Sequence, residues 1–411
     1  MNFEYFIAKR IVSAREYKNS ISSPIIKIAI TAIALGIIIM LIAVATGAGL
    51  QYKIRDKMAG FKGHIQIVNY DANNSDVSTT AIKKEQDFYP TFKHVKGIKN
   101  VQIFANKAGI LRTKTDFEGI IFKGVSTDYD WTFFKEYLIE GRIPDFNQKR
   151  TRDVLLSKTI VNRLQLQLND TINVTFFKSK ASKLPSNRKL VITGIYNTGF
   201  LEFDKNIMIG DIRQVQRLNR WNENEVGGFE VILENFDELQ QKGTEIYKEI
   251  DATLDATTIA SNYPGLFEWI ELFDNNTWFI IIIMILVAGI NMITALLVLI
   301  LERIPMVGIL KAMGSSNWSI RKIFLYNASY LIFVGLFWGN LIGLLLLFLQ
   351  KYGRFITLDP ATYYVSEVPI SIDFLTVVFV NIGTLVLCFL MLIIPSVIIT
   401  KIQPSKSIRF A

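Results

Sequence analysis

Four stretches of the chain, Ile28–Leu50, Asn276–Leu301, Ile323–Gln350 and Phe374–Thr400, are dominated by apolar residues and contain no Asp, Glu, Lys, Arg or His. A membrane-crossing helix needs about 20 predominantly apolar residues, so each stretch predicts one span. At 1.5 Å per residue the first run covers about 34 Å. It is longer than the ~7–15 residues of a cleavable signal core, which predicts a permanent anchor. Between the first two runs lies Gln51–Asn275, of ordinary polarity, where short alternating strands interleave with helical periodicity. The expected fold is therefore an α+β membrane protein: four transmembrane helices with a large α/β extracytoplasmic domain inserted between helices 1 and 2.

The expected boundaries are an interfacial helix at 1–27, spans at 28–50, 276–301, 323–350 and 374–400, the inserted domain at 51–275, a polar segment at 302–322, a short loop at 351–373 and a tail at 401–411. Within the domain, Gly60–Val68 reads as a turn and strand, His64 and Gln66 alternating against Ile65 and Ile67. Phe88–Val95 reads as a helix, and Val101–Arg112 and Gly119–Val125 as strands. Phe229–Leu233, a helix over Asp237–Asp251 and Thr257–Ser261 form a second β-α-β pattern. Two such patterns around a long insert predict a split α/β subdomain, about 51–129 with 225–275, and an inserted subdomain at about 130–224. The insert holds Val154–Ser157, a helix at Lys158–Leu166, strands Thr171–Phe177 and Lys189–Tyr196, and a helix near Asp211–Leu218.

Between the second and third runs sits Glu302–Gly314, ERIPMVGILKAMG. A proline in a first turn loses no hydrogen bond, so Pro305 marks a helix start. Met306, Ile309, Leu310 and Met313 follow at helical spacing, and Gly314 suits the left-handed residue after a helix end. Such a helix either packs on its own bundle or docks a partner on that side of the membrane.

Charge gives the orientation. Met1–Lys27, Glu302–Lys322 and Lys401–Ala411 carry five, four and three basic residues against three acids in all, and the net charge of the whole chain is +9. The entire excess lies on one side, which the positive-inside rule makes the cytoplasm. The inserted domain is nearly neutral, which argues against nucleic acid as a ligand. A single cysteine, Cys388, lies inside a span, and two histidines, His64 and His94, make no metal cluster. No G-x-x-x-x-G-K-[ST] loop, G-x-S-x-G elbow or H-E-x-x-H helix occurs, so no metal or cofactor is expected on this chain and nucleotide hydrolysis would fall to another subunit. Spans without ionisable groups disfavour ion coupling. On the outer half of the first span, Met40, Val44, Gly47 and Gln51 share one helical face. That face either grips a lipid-like substrate or packs another helix, closely where Gly36 and Gly47 allow.

The run ER-x-x-x-x-G-I-L-K-A-M-G, followed by Ser319-Ile320-Arg321, resembles the cytoplasmic coupling helix of the FtsX/MacB superfamily of ABC-transporter permeases (type VII, MacB-like), and the ending Pro404-Ser405-Lys406-Ser407-Ile408-Arg409 is similar to theirs. Gly60-Phe61-x-x-His64-Ile65, Ile290-Asn291-Met292-Ile293 and Tyr363-Tyr364-Val365-Ser366-x-x-Pro369-Ile370 resemble the lipoprotein-releasing LolC/LolE branch. The resemblance implies a non-catalytic permease subunit, with Glu302, Arg303, Pro305, Gly308, Leu310, Lys311 and Gly314 coupling it to a cytoplasmic LolD-like ATPase dimer that holds ATP and Mg. It also implies a second permease copy or paralogue, an inner-membrane location with both termini cytoplasmic, and mechanotransmission that squeezes acylated lipoproteins from the outer leaflet to a periplasmic LolA-like carrier. The cavity for acyl chains would involve Met40, Val44, Gly47 and Gln51. The basic, acid-free loop Lys178–Arg188 matches the place of a carrier hook, with Lys183, Leu184, Pro185 and Arg188 carrying the likeness. An FtsX-like regulator of cell-wall hydrolases and MacB-like export of periplasmic peptides are the competing functions.

Overall fold

The structure, a computed structural model, describes residues 3–13, 22–72, 75–147, 150–177 and 185–401. It divides into two compact units: Met1–Gln51, Ile270–Ile356 and Val368–Ala411 make the first, Tyr52–Trp269 and Thr357–Glu367 the second.

The first unit is a helical bundle. Among the described residues, four helices are long and apolar enough to cross a membrane. They are Ser22–Lys62, Pro264–Glu302, Asn317–Gly353 and Phe374–Ser396, the last interrupted after Pro395 and resumed as Ile398–Lys401. Each expected span lies within these helices, but the first two extend well beyond their apolar runs. Lipid offers no hydrophobic drive for helices to associate, so close packing of small residues and internal hydrogen bonds must do it. Gly335, Gly339 and Gly343 of the third span supply the first. An added Cβ would lie 2.8 Å from Ile33 Cβ, 2.8 Å from Ile37 Cβ and 3.1 Å from Leu41 Cδ1, so the first and third spans touch backbone to side chain along three turns. Asn340 and Asn381 supply the second, exchanging amide hydrogen bonds of 2.6 and 2.9 Å between the third and fourth spans. Met292, Phe324, Leu331 and Leu392 fill the centre. Phe3–Ser13 also packs here: Ala8 and Ile11 are buried, and Glu4 accepts from Ser319 Oγ at 2.9 Å.

The second unit is built on one sheet. In chain order its strands are β1 (Ile65–Asn69), β2 (Ile82–Lys83), β3 (Ile98–Arg112), β4 (Phe117–Val125), β5 (Leu138–Gly141), β6 (Asp153–Ser157), β7 (Thr171–Phe176), β8 (Ser186–Tyr196), β9 (Ile207–Asp211), β10 (Glu225–Val226), β11 (Gly228–Leu233) and β12 (Leu254–Thr258), with β2 and β10 forming a separate pair. The main order is β12-β1-β11-β3-β4-β9-β6-β8-β5, and β7 bridges β3 and β8. Pairing thus closes on itself through β3, β4, β9, β6, β8 and β7. The long strand β3 makes this possible: Ile98–Phe104 pairs with β11, and Gly109–Arg112 pairs with β7. As the sequence suggests, β11, the helix Leu239–Glu249 and β12 return beside β1 from the far end of the domain. The two expected subdomains share β3 and so form one sheet.

Two expectations change. No helix forms at Phe88–Val95; the chain there turns, and Phe88 stacks on Phe92 with centroids 5.1 Å apart while its edge meets Phe229. Aromatics four apart imitate a helical stripe, but Pro90 keeps the residue before it out of helical geometry. The expected loop 351–373 is not a free connection, because Thr357–Glu367 belongs to the second unit. There Lys57 Nζ donates to Tyr364 O at 3.0 Å, and the Tyr364 ring stacks on Phe200 and meets the edge of Trp269.

The first helix ends at Gly63, whose φ of +70° and hydrogen bond to Ala59 O close its last turn. A Cβ at Gly63 would meet Glu230 Cβ at 2.9 Å. Lys123, from β4, then caps the helix by donating to Phe61 O while gripping both oxygens of Glu230, from β11, at 2.7 and 2.8 Å.

His64 follows directly. Its Nδ1 accepts from Leu233 N at 2.8 Å, and burial of the ring, then Lys99, pushes its pKa from the ordinary 6.5 down to about 4. The strand position expected for it is replaced by a place just before β1. Because the folded value lies below the unfolded one, stability tied to neutral His64 is whole above pH 6.5 and is lost as pH falls towards 4, by up to about 3 kcal/mol. Asp204, which burial raises to about 6, works the other way: its contribution is present at low pH and lost as pH rises through that value. The expected observation is consequently a difference between proteins. From about pH 7 to about pH 4.5 the unfolding midpoint should fall further in the wild type than in His64→Asn, whose Oδ1 still accepts from Leu233. Equal falls would remove His64 as the cause.

Candidate functional site

The segment between the second and third spans folds as a separate helix, Ile304–Ala312, with Pro305 in its first turn. Gly314 at φ +89° ends it: Ser315 N donates to Leu310 O and Gly314 N to Lys311 O, each at 3.0 Å, the paired bonds of a Schellman motif. Val307, Gly308 and Leu310 are buried in the bundle. Pro305, Ile309 and Met313, spaced four apart, are exposed, Ile309 at 52% and Met313 at 69%. Trp318, at the start of the third span, is exposed as well. Helix residues four apart are neighbours on one face, so an apolar stripe stands open while the opposite face is packed. Among the residues expected to couple, Glu302 is exposed, Arg303 half-buried, and Gly308 and Leu310 face inward. Lys311 Nζ donates to Ile399 O at 2.8 Å, tying this helix to the carbonyl end of the fourth span.

The face expected to grip acyl chains lies largely inside the bundle. Met40 is fully buried, Gly47 approaches Thr277 Oγ1 within 3.0 Å of a Cβ position, and Gln51 Nε2 donates to Ile270 O at 3.5 Å. Val44 alone is half-buried. Three of the four residues are therefore packing positions, Gly47 and Gln51 of them against the helix Pro264–Glu302. Of the hook residues, Lys183 and Leu184 lie outside the described residues. Pro185 is exposed, and Arg188 sits in β8, half-buried, lining a cavity with Arg150, Arg152 and Arg217.

Comparison with known proteins fits this arrangement. The family model described as FtsX-like permease C-terminal matches residues 278–404, the last three spans with the intervening helix. The MacB-like periplasmic core domain matches residues 28–246, more than half of the chain. The chain belongs to the FtsX/MacB superfamily of ABC-transporter permeases. The lipoprotein-releasing system transmembrane protein LolC of Neisseria meningitidis serogroup B is 21% identical to this permease, over 100% of the chain and 99% of the relative. LolC of Buchnera aphidicola subsp. Schizaphis graminum is 23% identical over 93% and 92%. LolE of Haemophilus influenzae is 19% identical over 99% of each. The extracellular domain of the noncanonic ABC-type transporter YknZ from Gram-positive bacteria, 15% identical, covers 47% of the permease and 99% of itself with a TM-score of 0.33. Four apolar helices and a periplasmic-type domain fit a protein of an inner membrane.

Sequence reasoning missed several residues of the permease that the structure brings together. Ile54, Met58 and Phe61 are all fully buried on one face of the first helix beyond its apolar run. Their i, i+4, i+7 spacing carried the signal. Lys123 and Glu230 carried none, since nothing in either strand points to a partner 107 residues away.

Proposed function

We propose that this permease is a subunit of an ABC transporter that extracts acylated lipoproteins from the outer leaflet of an inner membrane and passes them to a periplasmic carrier. ATP hydrolysis would occur on a separate cytoplasmic ATPase dimer, and a second permease copy or paralogue would complete the membrane part. The observation that carries this reading is the end-to-end likeness, over 100% of the chain and 99% of the relative, to a protein named for lipoprotein release. The open stripe Pro305, Ile309 and Met313 supports an ATPase docking face: it is apolar, helical and adjacent to basic loops that the positive-inside rule puts in the cytoplasm. Spans without ionisable side chains suit a substrate carried by its acyl chains, each buried CH₂ contributing about 0.8 kcal/mol. The packed first-span face moves the acyl contact away from Met40, Gly47 and Gln51. Exposed side chains of the second span, Phe279, Ile283 and Leu286, are the better positions for it. Pro185 and Arg188 remain candidates for carrier contact.

The test is reconstitution of the permease with its ATPase in proteoliposomes carrying a triacylated protein. ATP should release that protein to a soluble carrier, and a photo-crosslinker at Phe279 or Ile283 should capture it where one at Met40 does not. ATP hydrolysis without release would reject lipoprotein extraction and leave a regulatory permease.

A further inference from the structure

A cavity of about 370 Å³ opens in the second unit beside β6, β8 and the helix Ile212–Asn219, and basic side chains dominate its wall. Arg150, Arg152, Arg188 and Arg217 line it together with Lys189, and among the described residues no carboxylate does. Arg150 and Arg152 flank Thr151 just before β6, and both line the cavity. Arg188 reaches it from β8, and Arg217 from the last turn of the helix. A helix C-terminus attracts a cation, which accounts for Arg217 but for none of the others.

Asp211, whose Oδ2 accepts from Thr151 N at 3.0 Å, is a carboxylate beside these charges, and Arg213 holds both its oxygens. Asp153 pairs with Arg142 and Asp211 with Arg213, and among the described residues none of the four arginines forms an ion pair. Arg188 Nε is buried without a hydrogen-bond partner. Burial, with Arg217 and Arg150 close by, holds its pKa below the ordinary value, although a guanidinium in a protein stays charged. Buried donors without acceptors are rare and costly, and like charges gathered in one hollow repel. A structure that keeps both has room for an anion. Guanidinium forks match tetrahedral oxyanions through paired N–H···O bonds. A compact dianion meets four guanidinium groups lining one hollow better than the spaced single charges of carboxylates on a protein surface.

We infer that this cavity binds a phosphate group, the chemistry shared by free phosphate and a phosphorylated lipid headgroup. The inference goes beyond lipoprotein release and does not depend on it.

The experiment is calorimetric titration of the full-length permease in nonionic detergent with inorganic phosphate, a water-soluble short-chain phosphatidic acid and a hexaglutamate peptide, at ionic strength matched with chloride. Phosphate should bind, and Arg188→Gln/Arg217→Gln should weaken it at least tenfold, while Lys158→Gln leaves it unchanged. Should the double variant not fold, Arg150→Gln, at an exposed position, should still weaken binding at least threefold. Tighter binding of phosphatidic acid than of phosphate, lost in the variants, identifies a lipid source; equal binding identifies free phosphate, and both support the site. Heats no larger than chloride's, affinity unchanged in the arginine variants, or hexaglutamate binding that phosphate does not displace would overturn it, the last in favour of an acidic protein surface.

Discussion

Lys123→Met is expected to destabilise the domain by about 3–5 kcal/mol, the range for removing one partner of a buried ion pair. The side chains of Lys123 and Glu230 are 3% and 1% exposed, so neither charge has water to fall back on. The variant leaves buried Glu230 without the cation it pairs with and Phe61 O without its donor at the end of the first helix. Glu230 keeps Gln102 Nε2 at 3.0 Å and Gln66 Nε2 at 3.3 Å, two neutral donors that soften the loss without replacing a cation. The double change Lys123→Met/Glu230→Leu should be less damaging than the single one, since a buried pair exchanged for apolar groups is often near neutral. It does not return to wild type, because both glutamines then lose their acceptor. Proteolysis of the full-length protein along a urea series measures all three. A single variant as stable as wild type would mean that water reaches the pair.

That pair also shows where the chain hides its structure. Hydropathy locates the four spans because lipid demands long apolar runs, and Gly314 is legible because only a few residues tolerate φ near +90°. The continuation Gln51–Lys62 is polar overall, so a hydropathy reading stops at Leu50 although Ile54, Met58 and Phe61 keep the helical spacing. The phase of Ile304–Ala312 is less accessible still. Its residues are apolar nearly all round, so nothing in the sequence distinguishes the packed Leu310 from the exposed Ile309. Phe88–Val95 misleads for a related reason: aromatic spacing has the helical period, while the contacts that use it lie in a turn against Phe229. Long-range partners such as Tyr364 with Phe200 and Trp269 have no local signature at all.

Ile309→Glu/Met313→Glu is expected to abolish transport while the protein remains inserted and folded. Both side chains are more than half exposed, so carboxylates there meet water and the bundle loses no packing. Against an ATPase groove the same carboxylates would be desolvated without partners. A central apolar anchor is worth about 2 kcal/mol or more in such an interface, and two replaced by charges should weaken association about a thousandfold, as each 1.4 kcal/mol is tenfold. Leu310→Glu makes the contrast: it buries a charge inside the bundle and should lower the stability of the permease itself. Lys311→Met separates docking from transmission. It frees the helix from Ile399 O while leaving the open stripe intact, so the ATPase should still co-purify while ATP-driven release falls. Co-purification with the ATPase, melting of the permease and release from proteoliposomes read the three effects independently. Normal co-purification and normal release in the double variant would show that the exposed stripe is not where the ATPase docks.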